Sequence, residues 1–133
     1  MALSPEEIRS RNVSAVEAFY DAERRRDVED WGKLWRLDGR QTFFLARDVP
    51  PVVGRDELIR VTQRKFEVRP PYGIGLITEA LADPSRVLAR LHLTFGETIR
   101  PVDLWCMFTF DDAGLILEIE EIVDTAHAHQ LPE

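Results

Sequence analysis

The chain has 133 residues, 44% of them hydrophobic, and its 24 acidic and 17 basic side chains give a formal net charge of -7. This length fits one compact domain, and we expect a single domain over residues 1–133. The negative charge argues against nucleic acid or an anionic membrane as the main partner, because both reward clustered positive charge. Small molecules remain as candidate partners.

The cysteine content and the first residues bear on the cell compartment. A single cysteine, Cys106, excludes an internal disulfide and a site built from several thiolate metal ligands. Residues 1–3 lead directly into a helix start, without the basic segment and long apolar run of an export signal. No apolar run is long enough to span a bilayer. We therefore expect a cytoplasmic protein.

Helices are predicted first in the chain. The Ser4–Glu7 segment combines an N-cap, a proline and a capping-box glutamate, so a helix is expected from there to about residue 26. Asp27 can cap a second, shorter helix that has Trp35 on its apolar face and ends at Asp38–Gly39. A third helix is expected after Gly54, before two prolines end it.

Strands make up the second half of the chain, and the turn sequences between them have the lengths that join antiparallel neighbours. Helices followed by such a meander indicate an α+β domain in which the helices cover one face of a curved sheet. A curved sheet over a long helix leaves a cone, and polar residues at its open end would line a pocket. The predicted strands cover residues 41–45, 74–81, 87–95, 101–110 and 115–124.

The last predicted strand carries the strongest indication of function, because Glu121 falls on its apolar face. Burial disfavours the charged form of a carboxylate and raises its pKa, so such a Glu can exchange protons near neutral pH. The alternative is a core Glu paired with an arginine, or a strand end that reaches water. The expected inward set is Leu117, Ile119, Glu121 and Val123, and the outward set is Ile116, Glu118, Glu120 and Ile122.

The strand at residues 87–95 has two distinct faces, and periodicity alone leaves open which one is inside. With Arg90 and His92 in solvent the arrangement is the ordinary one, because arginine is seldom buried without a partner. One face carries Val87, Ala89, Leu91 and Leu93, and the other carries Leu88, Arg90, His92 and Thr94.

The order of elements, the helix that starts at Asp27, the Gly54–Leu58 entry to the third helix and the Phe110–Ile116 turn together resemble the NTF2-like superfamily. The nearest branches are its SnoaL-like members and the phenazine biosynthesis A/B proteins. The resemblance covers nearly the whole chain and implies a cone-shaped fold, with a curved, mostly antiparallel sheet wrapped over three N-terminal helices. Its motifs are architectural, so they specify fold better than chemistry.

The resemblance also implies site residues. Glu121 stands where the phenazine A/B proteins carry an acid/base glutamate and where limonene-epoxide-hydrolase-like enzymes carry a catalytic aspartate. The latter enzymes have an Arg-x-Asp pair that points into the cavity; Arg90 matches its arginine, and His92 replaces its aspartate. Asp38 resembles an acidic site residue of the phenazine proteins, but their histidine on the third helix is Val61 here.

Ketosteroid isomerases of this superfamily use two aspartates that fall near Phe43 and Cys106, so their mechanism is not expected.

If the strand at residues 87–95 turns the same face toward the cavity as in the related enzymes, Arg90, His92 and Glu121 converge there. Glu121 would exchange a proton, His92 would be the complementary acid or base, and Arg90 would stabilise a developing oxyanion. The alternative is a closed ion pair between Arg90 and Glu121.

Other candidate residues are secondary. Asp38 is a further catalytic candidate, although an Asp before a Gly is commonly a turn former. His127 and His129 lack an acidic partner at ligand spacing, so we expect no metal and no cofactor. The expected substrate-contacting residues are Tyr20, Trp35, Phe43, Leu104, Cys106, Phe108 and Ile119.

Three functional hypotheses follow. The first is a cofactor-free acid-base enzyme, an isomerase, cyclase, dehydratase or condensing enzyme acting on a small, largely apolar molecule. The second uses the same cavity to activate water and open an epoxide. The third is a binding or assembly module with its cavity filled by aromatic side chains. In each case a homodimer is expected through the outer face of the sheet, as in related folds. The apolar residues expected on that face are Val87, Ala89, Leu91, Leu93, Ile116 and Ile122.

Overall fold

The computed structural model describes residues 2–44, 49–97 and 99–123. Three helices and six strands make up the fold. In this part of the chain no helix has the length and apolar character needed to cross a membrane. The helices are α1 (Pro5–Arg25), α2 (Val28–Lys33) and α3 (Arg55–Val68), and the strands are β1 (Trp35–Phe43), β2 (Val52–Val53), β3 (Gly73–Ala80), β4 (Arg86–Thr94), β5 (Val102–Phe110) and β6 (Ile116–Val123).

The six strands form one curved, unclosed sheet in the order β2-β1-β6-β5-β4-β3. Strands β3 to β6 are an antiparallel meander. Strand β1 pairs in parallel with β6 and carries the short β2 on its other edge. The predicted α+β architecture, with helices first and a mostly antiparallel sheet after them, is confirmed.

The predicted cap of α1 is confirmed. The backbone N–H of Glu7 donates to Ser4 Oγ at 3.1 Å, and the Ser4 N–H donates to Glu7 Oε1 at 3.0 Å. The helix ends at Arg26, whose φ of 57° is left-handed. Its guanidinium donates to the carbonyls of Phe66, Arg69 and Pro70. These bonds join the end of α1 to the end of α3, and the two ends frame the site described below.

The core lies between α1 and the inner face of the sheet. Phe19 on α1 is its centre, and its ring contacts four other aromatic rings at centroid distances of 4.9 to 6.2 Å. Most of these contacts are edge-on or tilted, which is the arrangement that aromatic quadrupoles favour. The four partners are Tyr20, Trp31, Trp35 and Phe108.

The predicted end of the second helix is wrong. Helix α2 stops at Lys33, and Trp35 begins β1 with its side chain fully buried. Between Trp35 and Arg40, β1 advances five residues while its partner β6 advances two, so this segment bulges out of the sheet. Gly39 allows the bulge, because a Cβ there would lie 2.5 Å from the Trp35 ring.

Strand β6 also contains a bulge. Thr109 pairs with Glu118 and Phe110 pairs with Ile116, so Leu117 is an extra residue without a direct partner on β5. Ile116 is therefore fully buried, although simple alternation placed it on the outside. The inward placement of the following residues Ile119, Glu121 and Val123 is as predicted.

Strand β4 turns its apolar face inward, and the superfamily-based orientation of this strand is wrong. Arg90 and His92 lie on the outer face, with side chains 45% and 54% exposed. The physical reason is that the inner face packs against the helices, where a charged pair would lose its hydration. The residues that were expected outside, Val87, Ala89 and Leu91, are buried, and Leu93 lines the cavity.

Candidate functional site

A cavity of about 500 Å³ lies between α1, α3 and the inner face of the sheet. This volume is typical of sites for small organic molecules. Its floor is apolar, because the apolar sides of the helices and the inner face of the meander both face the cavity. The floor residues are Phe19, Tyr20, Trp31, Leu91, Leu104 and Ile119.

Glu121 of β6 lines this cavity and is partly buried. Among the described residues its one side-chain hydrogen bond is a weak one, from Cys106 Sγ to Oε1 at 3.9 Å. Burial raises the pKa of Glu121; the positive charges of Lys65 and Arg69 oppose the rise, and the negative charge of Glu23 adds to it. An apolar cavity thus contains a carboxyl group that holds its proton to higher pH than an exposed Glu does.

A second carboxylate, Glu23, projects into the cavity from α1. Its side chain is 10% exposed and lies 3.7 Å from Lys65 Nζ. The hydroxyl of Tyr72 donates to Glu23 Oε2 at 2.8 Å. Burial, together with this carboxylate, raises the pKa of Tyr72, so its phenol stays protonated as a donor. Glu23 is therefore the paired carboxylate of the cavity, and Glu121 is the one without an ion-pair partner among the described residues.

Tyr20 and Cys106 are buried beside Glu121. Burial raises the pKa of both the Tyr20 hydroxyl and the Cys106 thiol, and the negative charge of Glu121 raises both further. Both groups therefore remain neutral near physiological pH. Tyr20 lines the cavity and can donate a hydrogen bond, whereas Cys106 lacks the thiolate character of a nucleophile.

The charges around Glu121 lead to a prediction about its titration. Glu23→Gln is expected to lower the pKa of Glu121, because it removes a neighbouring negative charge. Lys65→Met is expected to raise it by removing a positive charge. Carbon-13 NMR of labelled glutamate carboxyl groups would measure both shifts. Glu17→Gln, an exposed change on the same helix, is the control, and a shift of the same sign in both cavity variants would contradict this arrangement.

Five of the predicted site residues line the cavity. They are Tyr20, Phe43, Leu104, Ile119 and Glu121. Three others are buried in the core and are not among the cavity-lining residues: Trp35, Cys106 and Phe108.

Three predicted catalytic residues lie away from the cavity. Asp38 is in the bulge of β1, 65% exposed, and pairs with Arg36 at 2.8 Å. Arg90 lies 3.7 Å from Glu79, and His92 Nδ1 lies 2.7 Å from Asp103, both on the outer face of the sheet. The structure therefore does not bring these three side chains to Glu121. The alternative arrangement, a closed ion pair between Arg90 and Glu121, is also absent from the described part of the chain.

The polar residues that sequence analysis missed come from the helices. Glu23 follows Phe19 and Tyr20 at helical spacing, so it continues the buried stripe of α1. Lys65 on α3 and Arg69, the residue directly after it, follow the buried Thr62 at the same spacing. That periodicity was the available signal. Charged residues at the ends of amphipathic stripes are easily taken for solvent-facing ones.

Metal ligands were not expected, and the described residues contain no group of three His, Cys, Asp or Glu side chains placed to hold a metal ion. His127 and His129 lie outside the described residues, as does the whole segment after residue 123.

Comparison with known proteins agrees with this architecture. Residues 16–119 match the family model described as a SnoaL-like domain. No curated protein sequence matches the chain.

Among solved structures, a candidate SnoaL-like polyketide cyclase from Jannaschia sp. CCS1 is 18% identical, with 100% of this chain and 99% of that chain covered and a TM-score of 0.75. A candidate polyketide cyclase from Xanthomonas campestris pv. campestris is 20% identical, with 86% and 90% covered and a TM-score of 0.70. A steroid delta-isomerase from Pseudomonas aeruginosa is 21% identical, with 86% and 80% covered and a TM-score of 0.67. At these identities the similarity shows the fold, and the chemistry has to be argued from the residues.

Proposed function

Because this chain belongs to the family of SnoaL-like domains, we propose that it is a cofactor-free acid-base enzyme that acts on a small, largely apolar molecule. The observation that carries the proposal is the environment of Glu121. This carboxyl group lines a cavity with an apolar floor, has a raised pKa and has no ion-pair partner among the described residues. A structural carboxylate of the core would be paired, as Glu23 is.

The residues around Glu121 suit proton transfer at a carbon next to a carbonyl group. Glu121 as carboxylate takes the proton, and the electron pair moves onto the carbonyl oxygen as an enolate. The cation Lys65 lines the same cavity and would stabilise that oxyanion. Return of the proton from Glu121 to another carbon completes an isomerisation, and attack of the enolate on a second carbonyl gives an aldol-type cyclisation.

The two alternative functions have less support. Water activation for epoxide opening relied on Arg90 and His92 beside the acid, and both side chains lie on the outer face. A binding module was expected to have its cavity filled by aromatic rings and its Glu121 held by Arg90. The cavity of about 500 Å³ is open, and Phe43 is one of its walls.

Proton exchange in deuterated water would test the proposal and separate the alternatives. A panel of small cyclic ketones, unsaturated ketones and epoxides would be incubated with the protein and followed by proton NMR. An acid-base enzyme is expected to exchange the protons next to a carbonyl or to shift a double bond. A water-activating enzyme would convert the epoxides alone, and a binding module would broaden ligand signals without changing any compound.

A second copy of the chain is also proposed as a partner, bound to the outer face of the sheet. Ile77, Trp105 and Ile122 are each more than half exposed there. They lie in one row across four strands, with Arg90 between the first two. Ion pairs that include Glu79 flank the row, so the face offers both signs of charge to a symmetric partner.

The expected dimer gives a testable prediction. Trp105→Glu is expected to shift the protein from dimer to monomer in sedimentation velocity, because it places a charge within the row of apolar residues that the second copy would cover. Leu37→Glu, a matched change at an exposed apolar residue of the β1 bulge, should leave the dimer intact. A wild-type protein that sediments as a monomer at high micromolar concentration would contradict the proposal.

A further inference from the structure

The cavity is lined by an excess of positive charge, although the chain as a whole is negatively charged. Three cationic side chains of α3 and the residue after it line the cavity, Arg64, Lys65 and Arg69, against the two carboxylates Glu23 and Glu121. Even with both carboxylates ionised, two negative charges face three positive ones. A net charge of -7 for the chain therefore coexists with a positively charged binding cavity.

Arg69 is a partly buried cation of this group that has no ion-pair partner among the described residues. Lys65 lies 3.7 Å from the Glu23 carboxylate, whereas no carboxylate of the described residues lies within ion-pair distance of the Arg69 guanidinium. Arg69 Nε is buried and has no hydrogen-bond partner in the same part of the chain. Because Nε is closed to water, a ligand in the cavity would reach Arg69 through the terminal nitrogens of its guanidinium and would supply the negative charge that this cation lacks.

We propose that the molecule bound in this cavity carries a carboxylate on an apolar, ring-shaped body, and that Arg69 binds the carboxylate. The inference deepens the proposed function, since it names the substrate class of the same site. The planar guanidinium matches the two oxygens of a carboxylate, and the ring would lie on the apolar floor formed by residues such as Phe19 and Trp31.

Arg69 also has a defined position. It directly follows α3, its own carbonyl accepts from the Arg26 guanidinium, and the Arg69 N–H donates to the Lys65 carbonyl. The backbone is therefore held from both sides, while the side chain contributes to the cavity wall. A binding group on a fixed backbone loses less conformational entropy when it takes up its ligand.

The test uses a matched pair of probes, 2-naphthoate and its neutral amide, 2-naphthamide. The two have the same ring and nearly the same shape, and they differ in charge at pH 7. Titration calorimetry with the full chain is expected to show tighter binding of naphthoate. Arg69→Gln is expected to weaken naphthoate binding about tenfold, because it removes a charge-assisted hydrogen bond, and to leave naphthamide binding unchanged.

Two further variants complete the design. Arg69→Lys keeps the charge and should retain part of the preference for naphthoate. Arg60→Gln changes an exposed arginine of α3 that pairs with Glu57 outside the cavity, and it should have no effect. Thermal melting of each variant verifies that it is folded.

Several outcomes would overturn the inference. They are equal affinity for the two probes, equal weakening of both by Arg69→Gln, or no binding of either probe at millimolar concentration. The affinity measurement does not depend on turnover. In the wild-type protein, equal affinity for the two probes together with proton exchange would contradict the carboxylate inference alone. A preference for naphthoate without any proton exchange would contradict the proposed reaction alone.

Discussion

Replacing Glu121 by Gln is expected to slow turnover by about 10²- to 10⁴-fold, the range typical of a lost general acid-base group. Gln keeps the shape of the protonated side chain but can neither take nor return a proton. The deuterium exchange rate of the best compound from the panel, compared between wild type and variant, measures the effect. Binding of that compound should change far less than the rate, because the cavity walls are untouched.

Glu118→Gln provides the matched control for this experiment. Glu118 lies on the same strand, three residues away, and is not part of the cavity wall. Its replacement should leave the rate at the wild-type level. If Glu121→Gln turned over an identified substrate as fast as wild type, Glu121 would not be the proton carrier, and the proposed mechanism would be wrong.

The same variant is expected to be more stable than wild type at neutral and alkaline pH. Burial raises the pKa of Glu121 from its ordinary value of 4.5, so the folded chain holds this proton more tightly than the unfolded chain does. As the pH rises above 4.5 toward the raised pKa, the unfolded chain releases its proton first, and the free energy of unfolding falls. A glutamine side chain has no such proton to release, so the Glu121→Gln variant escapes this destabilisation.

Thermal melting as a function of pH would measure this difference. The melting temperature of Glu121→Gln minus that of wild type should be smallest below pH 4.5 and should grow until the pH passes the raised pKa. Each pKa unit corresponds to about 1.4 kcal/mol, which is roughly 5 °C in a domain of this size. Glu118→Gln should show no such growth. A difference that shrinks as the pH rises would mean that Glu121 is stabilised as a carboxylate.

The positions of the helices and of most strands could be predicted from local signals. The Ser4–Glu7 cap marks the start of α1, and the short turn sequences between apolar segments mark the four strands of the meander. The error at Trp35 arose because an aromatic residue at helical spacing also suits a strand. Only the packing of Trp35 against Phe19 and Gly39 decides between them. This tertiary contact cannot be predicted from the propensities of the local sequence.

The candidate site could be predicted only in part. The inward placement of Glu121 followed from its own apolar neighbours on β6. The orientation of β4 could not be obtained in that way, since both of its faces contain aliphatic residues, and the family comparison favoured the wrong one for Arg90 and His92. The cations Lys65 and Arg69 were missed because a helix pattern does not indicate which charged residues meet a cavity rather than water.

Leu117 has no partner on β5, so β6 could lose this one residue without turning Glu121 toward the outer face of the sheet. Ile116 and Ile119 are both anchored in the core although they are three residues apart, because one residue between them is taken up by the bulge. A related chain that lacked this residue would connect the same two anchors by regular alternation and keep its acid in the cavity. A deletion between Ile119 and Glu121 would instead turn the carboxyl group toward the outside. Among related chains, the acid is therefore better located by its distance from Ile119 than by counting from the preceding turn.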